Sequence, residues 1–151
     1  MDLGISGKKA IVCASSKGLG LGCAIALANA GVAITMCARN EDTLLTAAKT
    51  IEQLNVEVNP IVCDITSDDG IQKVLENTPD PDILINNAGG PPPGNWQDWT
   101  SDDFYAAIKA NMLTPITLMQ HVLPVMIKKR WGRIVNITSG AVKAPIPVLG
   151  L

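Results

Sequence analysis

Three short stretches hold the residues able to do chemistry: 14–20 (ASSKGLG), 86–89 (NNAG) and Ser139. In the first, Gly18 and Gly20 flank Leu19 and follow Ser15, Ser16 and Lys17, directly after the apolar run AIVC. A G-x-G at a strand-to-helix turn lets backbone approach a pyrophosphate, and the helix start offers free N–H groups to an anion. An ordinary tight turn fits the glycine pair equally well, so the pair alone does not decide. A Walker A loop is excluded, because Lys17 precedes the glycines and no Gly-Lys-Ser/Thr follows. A methyltransferase with a glycine-rich first turn stays open at this point.

These residues need a scaffold that gathers them. Apolar runs predict strands over 8–14, 32–38, 56–65, 82–86 and 133–138. Between them, helical spacing predicts helices over 18–30 (stopped by Gly31), 41–54 and 67–77, and a long one over 101–129 kinked at Pro115 and again near Pro124. Alternating strands and helices imply parallel strands joined by right-handed crossovers, both faces covered and the strands almost continuously apolar. We therefore expect an α/β Rossmann-type doubly wound sheet of order 3-2-1-4-5. Pro60 suits an edge position for the third strand. In such a sheet ligands bind outside the carboxyl ends of the strands. The polar and glycine-rich tips fall there: the glycine loop, Arg39, Asp64, the NNAG stretch and Ser139.

The end of the second strand discriminates. Folds that prefer NAD place an acid there for the ribose 2′-hydroxyl. Here the tip is Cys37-Ala38-Arg39, with no acid before Glu41. The arginine fork suits a 2′-phosphate, and Lys17 adds a second positive charge. This favours NADP(H) over NAD(H) and disfavours a methyltransferase. A solvated arginine at a strand end is the bland alternative for Arg39 alone.

Taken together, 13–20, CDIT at 63–66, NNAG, Asn111 and Ser139 resemble the short-chain dehydrogenases/reductases over essentially the whole chain. The resemblance implies a nicotinamide-dependent oxidoreductase moving hydride to or from a small carbonyl or alcohol substrate. It implies that Asp64 and Ile65 flank the adenine. Asn87, Ala88 and Gly89 would line the cofactor and steady the central strands. Asn111 would hold a kinked helix and a proton-relay water, and Ser139 would bond the substrate oxygen. Two departures stand out. The family's motif opens Thr-Gly, whereas this chain has Cys13-Ala14, and a methyl there disfavours a positive φ. The family's Tyr and Lys, about a dozen residues and four further after the serine, would fall near position 152 and beyond. The chain thus resembles the first three-fifths of a single domain of roughly 250 residues, incomplete on one side of the sheet. A non-catalytic dinucleotide-binding module is the alternative function. The only tyrosine, Tyr105, reads as packing.

The loop 89–99 (GGPPPGNWQDW) reads as a rigid segment docked on the core or a subunit face, ahead of a substrate wall. It also resembles a 3-oxoacyl-(acyl-carrier-protein) reductase-like subgroup, in which the tyrosine and lysine positions can themselves be substituted. Phe104, Ile108, Leu113, Ile116, Met119, Leu123 and Met126 lie near helical spacing, for the core or for contacts in a homo-oligomer. A net charge of −2 announces neither nucleic acid nor an anionic membrane as partner. Four widely spaced cysteines and one histidine leave no metal site and read as reduced and buried, which suits the cytoplasm. Asn136-Ile137-Thr138 matches a glycosylation acceptor but falls in a strand, so it is set aside.

Overall fold

The computed structural model describes residues 2–148. Five strands, β1 (Lys9–Val12), β2 (Ala33–Ala38), β3 (Val58–Val62), β4 (Ile83–Asn86) and β5 (Arg133–Asn136), form one parallel sheet of order β3-β2-β1-β4-β5. The helices are α1 (Gly18–Asn29), α2 (Glu41–Glu52), α3 (Asp68–Asn77), α4 (Ser101–Ile108) and α5 (Thr114–Lys129). The expected doubly wound order is what the chain adopts. Several ends coincide with the expected ones and the others differ by up to three residues, the strands because ladder pairing stops before the apolar runs do.

Each side of the sheet has its own core. On one, Ala24 and Ala28 of α1 and Leu44, Ala48 and Ile51 of α2 cover Ala10, Val12, Ile34 and Met36. On the other, Val74 of α3 and Leu118, Val122 and Met126 of α5 cover Ile11, Cys13, Cys37 and Leu84. Alternation along β1 and β2 sends successive side chains to opposite cores. Helix starts are fixed locally. Asn40 caps α2 through Thr43 N–H, Ser67 caps α3 through Gly70 N–H, and Thr100 and Asp103 form a capping box on α4.

The long helical region runs uninterrupted from 101 to 129, as expected. Within it a π turn over Lys109–Leu113 joins α4 to α5, where Thr114 N–H reaches back to the Lys109 carbonyl. Pro115 explains the site of the π turn, since it has no N–H to give the Asn111 carbonyl four residues earlier. Pro124 is accommodated inside α5. The apolar spacing resolves differently. The buried stripe is Thr114, Leu118, Val122 and Met126, whereas Phe104, Tyr105, Ile108, Leu113, Ile116 and Leu123 are exposed. Tyr105 is 70% exposed, so it does not pack. β5 is largely exposed, in keeping with a sheet incomplete on that side: no described element covers its outer edge.

Asp82 ties the lower rim of the sheet together. Its carboxylate accepts from Lys9 N–H at 3.0 Å and from Lys129 Nζ at 3.1 Å, while its carbonyl accepts from Arg133 N–H at 3.0 Å. One residue thereby joins β1, β4, β5 and α5. Burial pushes its carboxyl up, but the Lys9 N–H and the Lys129 ammonium outweigh that and hold it below the usual range. A group with a lowered folded pKa stabilises above its unfolded value near 3.9 and loses that contribution as pH falls through the folded value. Asp82→Asn should therefore cost about 1–3 kcal/mol at neutral pH. Urea denaturation of both proteins should show the gap closing as the pH drops below about 4.

Candidate nucleotide and active site

The upper rim holds the chemistry. After β1 the chain makes a left-handed step at Ala14 (φ 48°), runs through Ser15 and Ser16 to an extended Lys17, and turns left-handed again at Gly18 (φ 59°) into α1. No side chain caps α1, so its first N–H groups are unclaimed. Gly20 is buried on the inner side of this turn. A Cβ there would collide with the Ala14 carbonyl oxygen and stand 2.8 Å from Asn87 Nδ2. Asn87 in turn donates to the carbonyls of Cys13 and Ala14, at 3.3 Å each. The loop is thus strapped from below by an amide from the β4 tip. Ser15 is held lower still: its N–H bonds the Cys37 carbonyl at 3.1 Å, and its hydroxyl is buried without a partner among the described residues. Ser16 is half-buried, and Lys17, Gly18 and Leu19 are exposed.

Arg39, exposed, leaves the tip of β2. Beside it Asp64 follows β3, with Oδ1 accepting from Thr66 N–H at 2.9 Å and from Thr66 Oγ1 at 2.8 Å. The Thr66 N–H, against some burial, and then the Thr66 hydroxyl and the charges of Arg39 and Lys109 hold its carboxyl below the usual range. Beneath these tips the thiols of Cys13, Cys37 and Cys63 neighbour one another, and all four cysteines are free. The Cys13 thiol beside it and its burial push Cys37 well up, so it stays protonated. Cys13 and Cys37 are buried as expected, while Cys23 and Cys63 are only half-buried.

On the other half of the rim a cleft of about 230 Å³ opens between the tips of β4 and β5 and the π turn. Ile65, Asn87, Ala88, Asn111 and Thr138 line it. Asn111 Nδ2 donates to the Ala107 carbonyl at 3.1 Å, which fastens the π turn to α4. Asn86 donates to Asn136 Oδ1 across the sheet at 2.7 Å, and its own Oδ1 is buried without a partner among the described residues. Ser139 lies beyond β5, which ends at Asn136. It is exposed at the start of a short 3₁₀ turn (Gly140–Val142), and its Oγ accepts from Ala141 N–H at 3.1 Å. Its hydroxyl proton is free to donate elsewhere. Gly89 is exposed.

The loop 89–99 is not docked on the core: it is largely exposed and bonds a neighbouring loop instead. Gly94 N–H bonds the Val148 carbonyl at 2.8 Å, and a Cβ on Gly94 would stand 2.7 Å from the Trp99 ring. Trp96 is 70% exposed. Sequence reasoning missed the Asn86–Asn136 pair. The apparent glycosylation acceptor hid it, although the two asparagines are register partners at the ends of adjacent strands.

Comparison with known proteins decides the family. The short chain dehydrogenase family model matches residues 8–151. The chain belongs to this family. It is 30% identical over 141 residues to the 3-oxoacyl-(acyl-carrier-protein) reductase FabG of Pseudomonas aeruginosa, covering 91% of this chain and 57% of that one. Its fold is similar to that of L-sorbose reductase from Gluconobacter frateurii, complexed with NADPH and L-sorbose: TM-score 0.90, 29% identity, 99% of this chain and 60% of that one. It is similar as well to an NAD+-bound xylitol dehydrogenase, with TM-score 0.84 and 31% identity over 96% of this chain and 58% of that one. The chain spans about half the length of the curated relatives it matches.

Short-chain dehydrogenases bind a nicotinamide cofactor, and this rim suits one. The uncapped start of α1 offers N–H groups of the kind an anion takes, and the turn at Gly20 has room for backbone but not for a methyl. Gly20→Ala should drive α1 off Ala14 and Asn87. The expected result is a lower melting temperature together with lost nucleotide binding by calorimetry. Ala14 is the opposite case. A non-glycine residue in the left-handed region costs about 1–2 kcal/mol, against the roughly 0.5–1 kcal/mol that glycine loses in chain entropy. Ala14→Gly should therefore raise stability by about 0.5 kcal/mol, measurable as a small increase in denaturation midpoint.

Proposed function

We propose that this chain is the nucleotide-binding and substrate-polarising part of an NADP(H)-dependent reductase of small carbonyl compounds. The observation that carries the reading is the pairing of an uncapped, glycine-cradled α1 start with Arg39 at the next strand tip. Ser16, Lys17, Gly18 and Leu19 would hold the pyrophosphate side. Arg39 and Lys17 would hold the 2′-phosphate, Asp64 and Ile65 the adenine, and Asn87, Ala88 and Gly89 the inner ribose and nicotinamide. The bound nicotinamide supplies the hydride. The Ser139 hydroxyl donates to the substrate oxygen, drawing charge off the reacting carbon as hydride arrives. Asn111 fixes the π turn against the cleft and leaves its own carbonyl facing a proline that cannot donate to it, a point where water can be held. Exposed apolar side chains on α4 and α5 support assembly into a homo-oligomer, and free cysteines support a reducing compartment such as the cytoplasm.

A non-catalytic dinucleotide-binding module is the second reading. Ala14 at φ 48° and a sole tyrosine exposed on α4 favour it. Steady NADPH oxidation by the intact protein over a panel of carbonyl compounds separates the two; binding without turnover selects the module. For cofactor choice, Arg39→Asp should weaken NADPH by at least about ten-fold, the scale of one charge-assisted hydrogen bond, and NADH hardly at all. Equal losses for both cofactors would remove the 2′-phosphate role from Arg39.

A further inference from the structure

The carboxamide of Asn86 has one hydrogen-bond partner among the described residues, the Oδ1 of Asn136 at 2.7 Å. Asn86 is 3% exposed, so a buried donor depends on that oxygen. The two residues form the last rung of the β4–β5 ladder. One position further, Ile137 N–H bonds the Asn86 carbonyl at 2.9 Å. Both hydrogen bonds at the β5 tip therefore go to Asn86. Ile137 packs partly against the α1 side of the sheet. Beyond it, among the described residues, the hydrogen bonds of 138–144 are all internal to that segment. Within β5 itself only Ile134 is not exposed, so packing does little to fix the strand. On the other side, Asn87 donates to the carbonyls of Cys13 and Ala14. Three carboxamides thus run in line across the tips of β5, β4 and β1, and Asn136 is the member three residues before Ser139. Asn86, Asn136, Ile137 and Thr138 all line the cleft.

We propose that Asn136 is a positioning residue: its carboxamide oxygen, held by the Asn86 amide, sets where the β5 tip carries Ser139 relative to the nucleotide rim. The inference rests on the reductase reading above, in which Ser139 donates to the substrate oxygen. The bond has a direction. Asn136 accepts, so an aspartate there accepts equally well, whereas alanine and the similarly shaped leucine cannot. Hydride transfer is sensitive to displacements of about 1 Å, so a loosened β5 tip costs turnover before it costs nucleotide affinity.

The test compares Asn136→Ala, Asn136→Leu and Asn136→Asp with the native sequence in the intact protein. Asn136 is exposed, so none of these substitutions empties the core, and circular dichroism checks the fold. Three quantities are read: kcat for NADPH oxidation by a carbonyl compound from the panel above, NADPH affinity by calorimetry, and hydrogen exchange at the Ile137 and Ala141 amides. Asn136→Ala and Asn136→Leu should lower kcat about ten-fold, leave NADPH affinity within about two-fold, and exchange faster at both amides. Asn136→Asp should keep native values of all three. An unchanged kcat in the alanine and leucine variants, whatever the exchange shows, overturns the proposal and leaves the reductase reading intact. So do equal losses of kcat in all three variants, or a loss of NADPH affinity that matches the loss of kcat. A native protein that binds NADPH without turning over any carbonyl compound overturns the reductase reading and this proposal together. A native protein that does not bind NADPH removes the nucleotide site as well.

Discussion

Three groups meet where the upper rim is narrowest: the Ala14 carbonyl, the Gly20 Cα and the Asn87 amide. There is no room among them for one methyl group. This close approach decides how α1 leaves the sheet, and hence where its unclaimed N–H groups point. It also makes β4 answerable to β1 at their tips, beyond the last rung of their ladder, through hydrogen bonds from a side chain rather than from backbone. The same amide both ties β4 to β1 and shapes the turn into α1.

At the other rim Asp82 does a comparable job with charge. The sheet is thus clamped at both ends, by a carboxylate below and a carboxamide above. The difference follows from their settings. Asp82 has an ammonium partner at its rim, whereas Asn87 faces two carbonyl oxygens, which only a donor can satisfy and which a carboxylate would repel.

Much of this was legible from residues alone. Apolar strand runs, helix-stopping Gly31 and the polar strand tips specify a parallel doubly wound sheet, because each is a local consequence of burial or backbone freedom. The turn into α1 was legible where backbone geometry demands glycine, at Gly18 and Gly20. Other features were illegible where a tertiary contact makes the choice. The spacing of apolar residues over 101–129 does not tell which stripe turns inward, because apolar residues lie on more than one helical face there. The position of Asn136 opposite Asn86 depends on register, which is set by the whole sheet. The fit of Ala14 to a left-handed step runs against its own preference and is imposed by the strap from Asn87.

The π turn has a consequence for the geometry of everything beyond it. An α-helix advances about 100° per residue, so a turn holding one extra residue shifts the phase of all later side chains by about that angle. α4 and α5 therefore follow one another along the chain but do not share a face. α4 buries none of its side chains, while α5 keeps a straight inward stripe from Thr114 to Met126. The extra residue acts as a rotary joint fixed at one setting. It lets the chain aim Asn111 into the cleft while α5 seals the core and α4 presents its apolar side outward. A plain helix of the same sequence composition would have had to choose between these orientations.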